Sequence, residues 1–434
     1  MRVTGARPRI CILSLSAIAD DPRVRRTCDA FHRTGWEVIG VGLPGARSAA
    51  PEWRIATHED VIAASRNTAD RWSQADERGL PSHSLRVSWF HRALRPALRL
   101  VIALRMLAVR VWPDLAQRIY WSYSEAIREI YACACQIDAE VWLANDWNML
   151  PIAARLAAEK GSIYVYDTHE FAAEECAEKW RWRLLHKPLV CAVERRFIGG
   201  AAVVSAVSAG IAERLDIMYR LSRSTLVIRN TPQSESFGFR STGERVRVLY
   251  HGIIVPGRGL EEAIDSVAGW RPEFELTIRG PENPGYSDRL RQLICDRGLQ
   301  SRVHLVPPVP MTELIRQAAA FDIGFFALPG HSRHNEFALP NKFFEYIMAG
   351  LALCISDLPE MAQLVKQYRL GVLIRELTPG AIVQAINRLD RAQIDWHKRN
   401  ALAAAHELSW QRESERLTAA YNALLPQSTA IAAA

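Results

Sequence analysis

Residues 335–350, NEFALPNKFFEYIMAG, decide how this chain of 434 residues is interpreted. A loop ending in Pro340 leads into an apolar helix that begins at Asn341 and Lys342, and Glu345 follows one turn later. The start of a helix carries about half a positive charge and unpaired N–H groups, which favour an anionic diphosphate. Glu345, beside Lys342, is placed to accept hydrogen bonds from sugar hydroxyls. The continuation, LALCISDLPEM, predicts a buried strand, a turn and another helix.

Strands alternate with helices on both sides of this stretch, which predicts an α/β fold with parallel sheets. The strand Ile10–Leu15 is followed by a polar loop, by a helix closed at Gly35, and by the strand Trp36–Val41. In such sheets the loops at the carboxyl ends of the strands bind ligands. After a polar stretch without periodicity the order restarts at the strand Val246–Tyr250. The pattern therefore predicts two Rossmann-like, doubly wound domains with a cleft between them.

The stretch 335–361 resembles the nucleotide-sugar site of the retaining glycosyltransferases of family four, where an LPNKFFEY-type run precedes an SDLPE-type one. The resemblance implies a GT-B fold, with an N-terminal acceptor domain at 1–235 and a C-terminal nucleotide-sugar domain at 245–405. It also implies that a helix at 406–425 packs back across the joint. The implied enzyme is a metal-independent hexosyltransferase, and we expect no cofactor, since the chain lacks an Asp-x-Asp run for a catalytic metal.

The loop HGIIVPGRG, residues 251–259, resembles the family element in which a cation binds the donor diphosphate. Arg258 takes the position of the family lysine, and its planar guanidinium can bind phosphate oxygens in pairs. Many relatives carry a second arginine where this chain has Ile253, so the second cation is expected to be Lys342 or Arg279, or to be missing. The expected donor-binding residues are Gly252, Gly257, Arg258, Gly259, Arg279, Asn335, Leu339, Pro340, Asn341, Lys342 and Glu345.

The run DTHEF, residues 167–171, begins where an apolar strand ends, so its side chains are expected to face substrate. A lone histidine at a strand end is more often structural. Family-four enzymes carry a D-x-HE run here, which implies that His169 is catalytic together with Glu345. The expected acceptor-binding residues are Asp21, Arg23, Asp146 and Glu170. Asp21 precedes a proline, and a helix cap is an equal alternative for it.

The net charge of +7 and the pI near 9.1 fit a nucleic acid, an anionic membrane or an anionic substrate. No helix-turn-helix, KH or RRM pattern is present, so we expect no nucleic acid. The eight cysteines lack zinc-like spacing and indicate a reduced, cytosolic protein without a metal site. The basic N-terminus leads directly into a strand, which does not predict a signal peptide.

A basic insertion at about 85–128 interrupts the alternation. Its part 85–123 has a helical pattern with a single acid, Asp114, and with Trp89, Trp112 and Trp121. The arginines lie at 86, 92, 95, 99, 105, 110 and 118. Such a segment can lie on an anionic bilayer, which predicts a cytoplasmic protein that is peripheral at the inner face of the membrane. The alternative is a helical insertion packed on the core with a solvated basic face.

The acceptor implied by the resemblance and by the insertion is lipid-linked or belongs to a surface polysaccharide. Two other functions remain open from the sequence. A nucleotide-sugar 2-epimerase shares the fold, and a non-catalytic nucleotide-sugar binding subunit would explain Ile253 and also Phe337, which takes the place of a family glutamate. Backbone groups around Asn335 to Leu339 are expected to hold the donor sugar in the absence of that acid.

Overall fold

The computed structural model describes residues 7–45, 48–57, 103–235 and 237–425. These residues divide into two compact units. Unit 1 comprises the described residues of Met1–Ala206, Ala212–Leu226 and Thr418–Ala434, and unit 2 comprises those of Val207–Ile211 and Val227–Leu417. The sequence pattern predicts a boundary between 235 and 245, whereas the units change at Val227.

Unit 1 holds a sheet in the order β3-β2-β1-β4-β5-β6-β7. Its strands are β1 (Arg9–Leu13), β2 (Glu37–Val41), β3 (Arg54–Ala56), β4 (Val141–Asn145), β5 (Ile163–Thr168), β6 (Val204–Ala206) and β7 (Leu226–Val227). Neighbouring strands from β3 to β6 are parallel. The helices are α1 (Pro22–Arg33), α2 (Leu115–Tyr123), α3 (Glu125–Ala134), α4 (Leu150–Lys160), α5 (Lys187–Phe197) and α6 (Ala209–Tyr219), whose first residues belong to unit 2.

The carboxyl ends of β4 and β5 lie side by side in unit 1. Both strands are buried apolar runs, as expected of central strands that helices cover on both faces. In their parallel register Asn145 pairs with Asp167. The residues after β4 and the DTHEF run therefore meet at one edge of the sheet, where α/β folds place their ligands.

Unit 2 holds a parallel sheet in the order β10-β9-β8-β11-β12-β13. Its strands are β8 (Val246–His251), β9 (Phe274–Arg279), β10 (Val303–Val306), β11 (Ile323–Phe326), β12 (Ala352–Ser356) and β13 (Gly371–Ile374). Its helices are α7 (Leu260–Ser266), α8 (Pro284–Asp296), α9 (Leu314–Ala318), α10 (Arg333–Glu336), α11 (Asn341–Met348), α12 (Pro359–Tyr368), α13 (Pro379–Ile386) and α14 (Arg391–Glu407). The last helix, α15 (Trp410–Asn422), has residues in both units.

The core of unit 2 fixes where α11 begins. Phe343, Phe344, Tyr346 and Ile347 of this helix are buried in the same cluster as β8, β11 and β12. Lys342 and Glu345 lie on the remaining, partly exposed side of the helix. The apolar face thus anchors the helix while its charged side chains stay beside the carboxyl ends of the strands.

The basic insertion is described only from residue 103 onward, and its part at 85–102 lies outside the described residues. Residues 103–108 are helical, residues 109–114 form turns, and α2 follows. The described part of the predicted helix at 85–123 is therefore two helical segments and not one, since Pro113 lacks the N–H that a continuous helix needs. Among the described helices, none has the length and apolar character needed to cross a membrane.

Candidate active site

The loop between β8 and α7 requires glycine at several positions. Gly252, Gly257 and Gly259 have φ angles of 133°, 79° and 70°, a region that side chains disfavour. A Cβ atom on Gly252 would lie 2.7 Å from Nζ of Lys342, and one on Gly259 would lie 2.3 Å from the carbonyl oxygen of Ala327. The loop backbone thus passes directly beside the lysine at the start of α11.

Lys342 is held against two aromatic rings. Its Nζ lies 4.2 Å from the ring centroid of Tyr250 and 4.3 Å from that of Phe326. Burial and, less strongly, the nearby Arg258 together lower the pKa of Lys342 to about 7, although Glu345 acts in the opposite direction. Within the described ranges, neither Arg258 nor Lys342 forms an ion pair with a carboxylate. A bound anion would therefore stabilise the charged forms of both Arg258 and Lys342.

The start of α11 adds backbone donors to this pair. Pro340 occupies the N-cap position, and no side chain caps the helix there. Asn335 is turned to its own loop, because its Nδ2 donates to the carbonyl oxygen of Pro329 at 2.8 Å. Leu339 is buried with 6 % exposure. Asn335 and Leu339 therefore shape the loop, while Asn341 and Lys342 occupy the first turn of the helix, where an anion is favoured.

His251 is a site residue that the sequence analysis missed. It ends β8 with 2 % exposure, and its ring stacks on Tyr346 with centroids 4.6 Å apart. Its Nε2 lies 3.0 Å from Oε2 of Glu345, off the line of a good hydrogen bond. Burial lowers the pKa of His251, and Glu345 offsets this only in part. Only its position immediately before Gly252 at a strand end could have indicated a role.

Arg279 faces His251 rather than the glycine loop. Its terminal nitrogen lies 3.4 Å from Nδ1 of His251 and 3.4 Å from the carbonyl oxygen of Leu314, and the residue is 5 % exposed. Of the two candidates for the second cation, Lys342 is the one whose side chain lies beside Gly252 and Arg258. Arg279 instead supports the histidine next to Glu345.

In unit 1 the structure places His169 against Asp146. The backbone N–H of His169 donates to Oδ1 of Asp146 at 2.9 Å, and its Nδ1 lies 3.0 Å from Oδ2 of the same carboxylate. Burial lowers the pKa of His169, but Asp146, with a smaller contribution from Asp167, raises it, and the pKa lies above its ordinary value. Nε2 of His169 has no hydrogen-bond partner among the described residues.

Arg23 and Asp21 have structural contacts in place of the predicted exposure to an acceptor. Arg23 is 2 % exposed and pairs with Asp167 through two bonds, Nε to Oδ2 at 2.8 Å and a terminal nitrogen to Oδ1 at 2.6 Å. Asp21 caps α1 by accepting from the backbone N–H groups of Arg23 and Val24. We therefore assign Arg23 to the support of β5 and Asp21 to the helix cap. Glu170 is exposed beside His169.

The metal-ligating residue types do not cluster in the described part of the chain. No group of three or more His, Cys, Asp or Glu side chains there is arranged to hold a metal ion.

Residues 245–391, which include the glycine loop and α11, match the family model described as Glycosyl transferases group 1. Unit 2 carries a group 1 glycosyltransferase domain. The match confirms the predicted group 1 glycosyltransferase type for this part of the chain. A curated relative, the GDP-mannose:cellobiosyl-diphosphopolyprenol alpha-mannosyltransferase of Xanthomonas campestris, is 29 % identical over 210 residues. The match covers 46 % of this chain and 53 % of the relative, so the chain spans about half the length of that protein.

Solved structures confirm the predicted GT-B fold beyond the group 1 domain. Sucrose-phosphate synthase from Thermosynechococcus elongatus superposes with a TM-score of 0.65 at 14 % identity, covering 96 % of this chain and 99 % of that one. Anabaena HepE in complex with UDP gives a TM-score of 0.61 at 14 % identity, covering 96 % and 100 %. WaaG, a glycosyltransferase involved in lipopolysaccharide biosynthesis, gives 0.57 at 12 % identity, covering 94 % and 98 %. At these identities the similarity concerns the fold.

Proposed function

We propose that this protein is a retaining glycosyltransferase that moves a sugar from a nucleoside-diphosphate sugar to a lipid-linked or surface-polysaccharide acceptor. The observation that carries the proposal is the pair Arg258 and Lys342, which lies beside a glycine loop and a helix start inside a group 1 domain. Fixed cations and backbone amides stabilise a departing diphosphate without a metal, because they are already oriented when charge develops. Glu345, next to Lys342, accepts hydrogen bonds from sugar hydroxyls.

The names of similar proteins suggest which substrates to test first. The 29 % identical relative is named for GDP-mannose and for a diphosphopolyprenol-linked acceptor. HepE, which shares only the fold, has been solved with UDP and with UDP-glucose. We therefore propose GDP-mannose as the first donor to test, with UDP- and ADP-sugars as comparisons, and a polyprenyl-diphosphate saccharide as the first acceptor. The anomeric configuration of the product, read by NMR, tests retention.

Binding of the nucleoside diphosphate is expected to depend on Arg258. A charge-assisted bond contributes roughly 1.5 to 3 kcal/mol, so Arg258→Ala should weaken binding of the preferred nucleoside diphosphate at least about tenfold. Calorimetry with GDP, UDP and ADP on the wild type and the variant measures this. Arg388→Ala removes an exposed arginine elsewhere in unit 2 and serves as the control. Equal affinity of wild type and Arg258→Ala would show that Arg258 does not bind the diphosphate. Absence of binding by the wild type would refute the proposed function.

Membrane docking by the insertion is the second part of the proposal. The described part of the insertion, from residue 103 onward, carries exposed apolar side chains with exposed arginines among them. The exposed apolar residues are Leu104, Leu107, Val111 and Trp112, with 62 % exposure for Trp112. Arg105 and Arg110 are exposed among them. Trp121 is not available in the same way, since its ring packs on Tyr131 and under Arg155.

Loss of these side chains is expected to lower binding to anionic vesicles. Each cation near anionic lipid contributes roughly 1 kcal/mol, so Arg105→Gln with Arg110→Gln should weaken binding about thirtyfold, and Trp112→Ser should weaken it further. Flotation with phosphatidylserine-containing and neutral vesicles at low and high salt measures the effect. The control combines Arg375→Gln, Arg388→Gln and Trp396→Ser, which remove two exposed cations and an exposed tryptophan from unit 2. Equal recovery with both vesicle types would support a helical insertion packed on the core.

A further inference from the structure

We infer that Asp146 is a positioning residue, which holds His169 in one orientation and one tautomer so that Nε2 accepts a hydrogen bond from a sugar hydroxyl. The inference rests on the proposed function, which supplies the sugar. It replaces the expectation that Asp146 itself contacts the acceptor.

One carboxylate of Asp146 contacts His169 at two points. Oδ1 accepts the backbone N–H at 2.9 Å, and Oδ2 lies 3.0 Å from Nδ1 of the ring. Contact with the backbone fixes where the residue sits, and contact with the ring fixes how the side chain turns. Since a carboxylate only accepts, the proton of a neutral ring must lie on Nδ1. Nε2 then carries the lone pair.

The backbone of Asp146 is adapted to this contact. The residue has a φ of 65°, in the left-handed region that few residues other than glycine adopt. Its N–H donates to the carbonyl oxygen of Asp167 at 2.8 Å, which joins the end of β4 to β5. Nδ2 of Asn145 lies 3.4 Å from Oδ2 of Asp146 and supports the carboxylate from the side. The left-handed turn thus directs the carboxylate to the next strand end, where His169 lies.

Nε2 of His169 is buried and has no hydrogen-bond partner in the described part of the chain. The nearest carboxylate oxygen, Oδ2 of Asp167, is 3.9 Å away, beyond hydrogen-bond distance. Asp167 is already engaged by Arg23 and by the hydroxyl of Ser205 at 2.6 Å. A buried polar atom without a partner is costly, which indicates that a ligand group completes it.

The charged groups around the ring are Asp146, Asp167 and Arg23. Asp146 is the one in direct contact, and Arg23 is paired with Asp167. Substitution of Asp146 therefore changes the contacts of His169 and leaves the buried ion pair of Arg23 and Asp167 in place. This separation makes Asp146 a site where positioning and folding can be tested apart.

Two substitutions at Asp146 test the inference, since asparagine and glycine both tolerate a positive φ. Asp146→Asn keeps an oxygen for the N–H of His169 but turns an NH₂ group to Nδ1, which moves the ring proton to Nε2. Asp146→Gly removes the carboxylate and leaves the backbone unstrained. We expect kcat to fall at least about tenfold for either variant, with the KM for the donor changed less than threefold and the Tm within a few degrees of wild type.

The tautomer is read directly by ¹⁵N NMR of histidine-labelled protein, at a pH above the titration of His169. His169→Gln assigns the signal. The wild type should show a protonated Nδ1 and an unprotonated Nε2, and Asp146→Asn should show the reverse. Asp216→Asn, at an aspartate that holds Thr225, and Arg220→Gly, at another positive φ of 53°, are the controls for side-chain and backbone changes in unit 1.

Each outcome has one meaning. A wild-type ring protonated on Nε2, or an Asp146→Asn variant with wild-type kcat, would overturn the positioning role. A folded Asp146→Asn variant with the reversed tautomer and reduced kcat would support it. Absence of transfer by the wild type with every donor would refute the proposed function, and the tautomer measurement would still decide whether Asp146 orients His169.

Discussion

Replacement of His169 by alanine is expected to lower turnover by about a hundredfold or more while the Tm stays within a few degrees of wild type. The side chain is 16 % exposed, and its hydrogen bonds in the described residues go to Asp146 alone. Its removal therefore deletes little packing. The loss falls on catalysis, because Nε2 would no longer accept a hydrogen bond from the substrate hydroxyl.

Release of the nucleoside diphosphate with the preferred donor and acceptor measures the effect of His169→Ala, and thermal unfolding measures the fold. His32→Ala is a matched control in unit 1. His32 is a partly exposed histidine near Glu52, and it is far in sequence from the carboxyl ends of β4 and β5. A fully active His169→Ala variant, or one that does not fold, would return His169 to a structural role. Loss of activity in His32→Ala as well would show that the assay follows stability.

The strand ends that carry the site could be predicted from the sequence because local signals mark them. The apolar run before DTHEF is β5, and the one before the glycine loop is β8. Parallel strands place such ends at one edge of each sheet, so the positions of the DTHEF run and of the glycine loop followed from local pattern. The group 1 family and the GT-B fold were also within reach, since residues 335–361 carry a long matching motif.

The side-chain pairs within the site could not be predicted, because the order and register of the strands determine which residues meet. Arg23 meets Asp167 across 144 residues, and His251 meets Glu345 through the packing of α11 on β8. No local pattern indicates either pairing. The sequence therefore predicted that Arg23 contacts the acceptor, whereas its side chain is 2 % exposed and pairs with Asp167 of β5. The contacts of the insertion at 85–102 lie outside the described residues.

Binding of the donor diphosphate is expected to take up a proton at Lys342. The pKa of this lysine in the free protein is lowered to about 7 by burial and by Arg258. A bound diphosphate places negative charge beside Nζ and raises that pKa again. Below pH 7 the lysine is charged in both states, so affinity does not change through this group. Above pH 7 the free lysine loses its proton and binding must restore it, so affinity should fall by up to about tenfold per pH unit.

Calorimetry at pH 8 in buffers of different ionisation enthalpy measures this proton directly, and the slope of affinity between pH 7 and 9 gives an independent value. Lys342→Met should bind the nucleoside diphosphate at least about tenfold more weakly than wild type at pH 6.5, without proton uptake. Lys342→Arg keeps the charge at every pH, so it should abolish the uptake and the slope while it retains binding. Proton uptake that persists in Lys342→Met would place the titrating group elsewhere. A pH-independent affinity in the wild type would contradict this prediction. It would mean that Lys342 stays charged up to pH 9 and that its position beside Tyr250 and Phe326 does not lower its pKa to about 7.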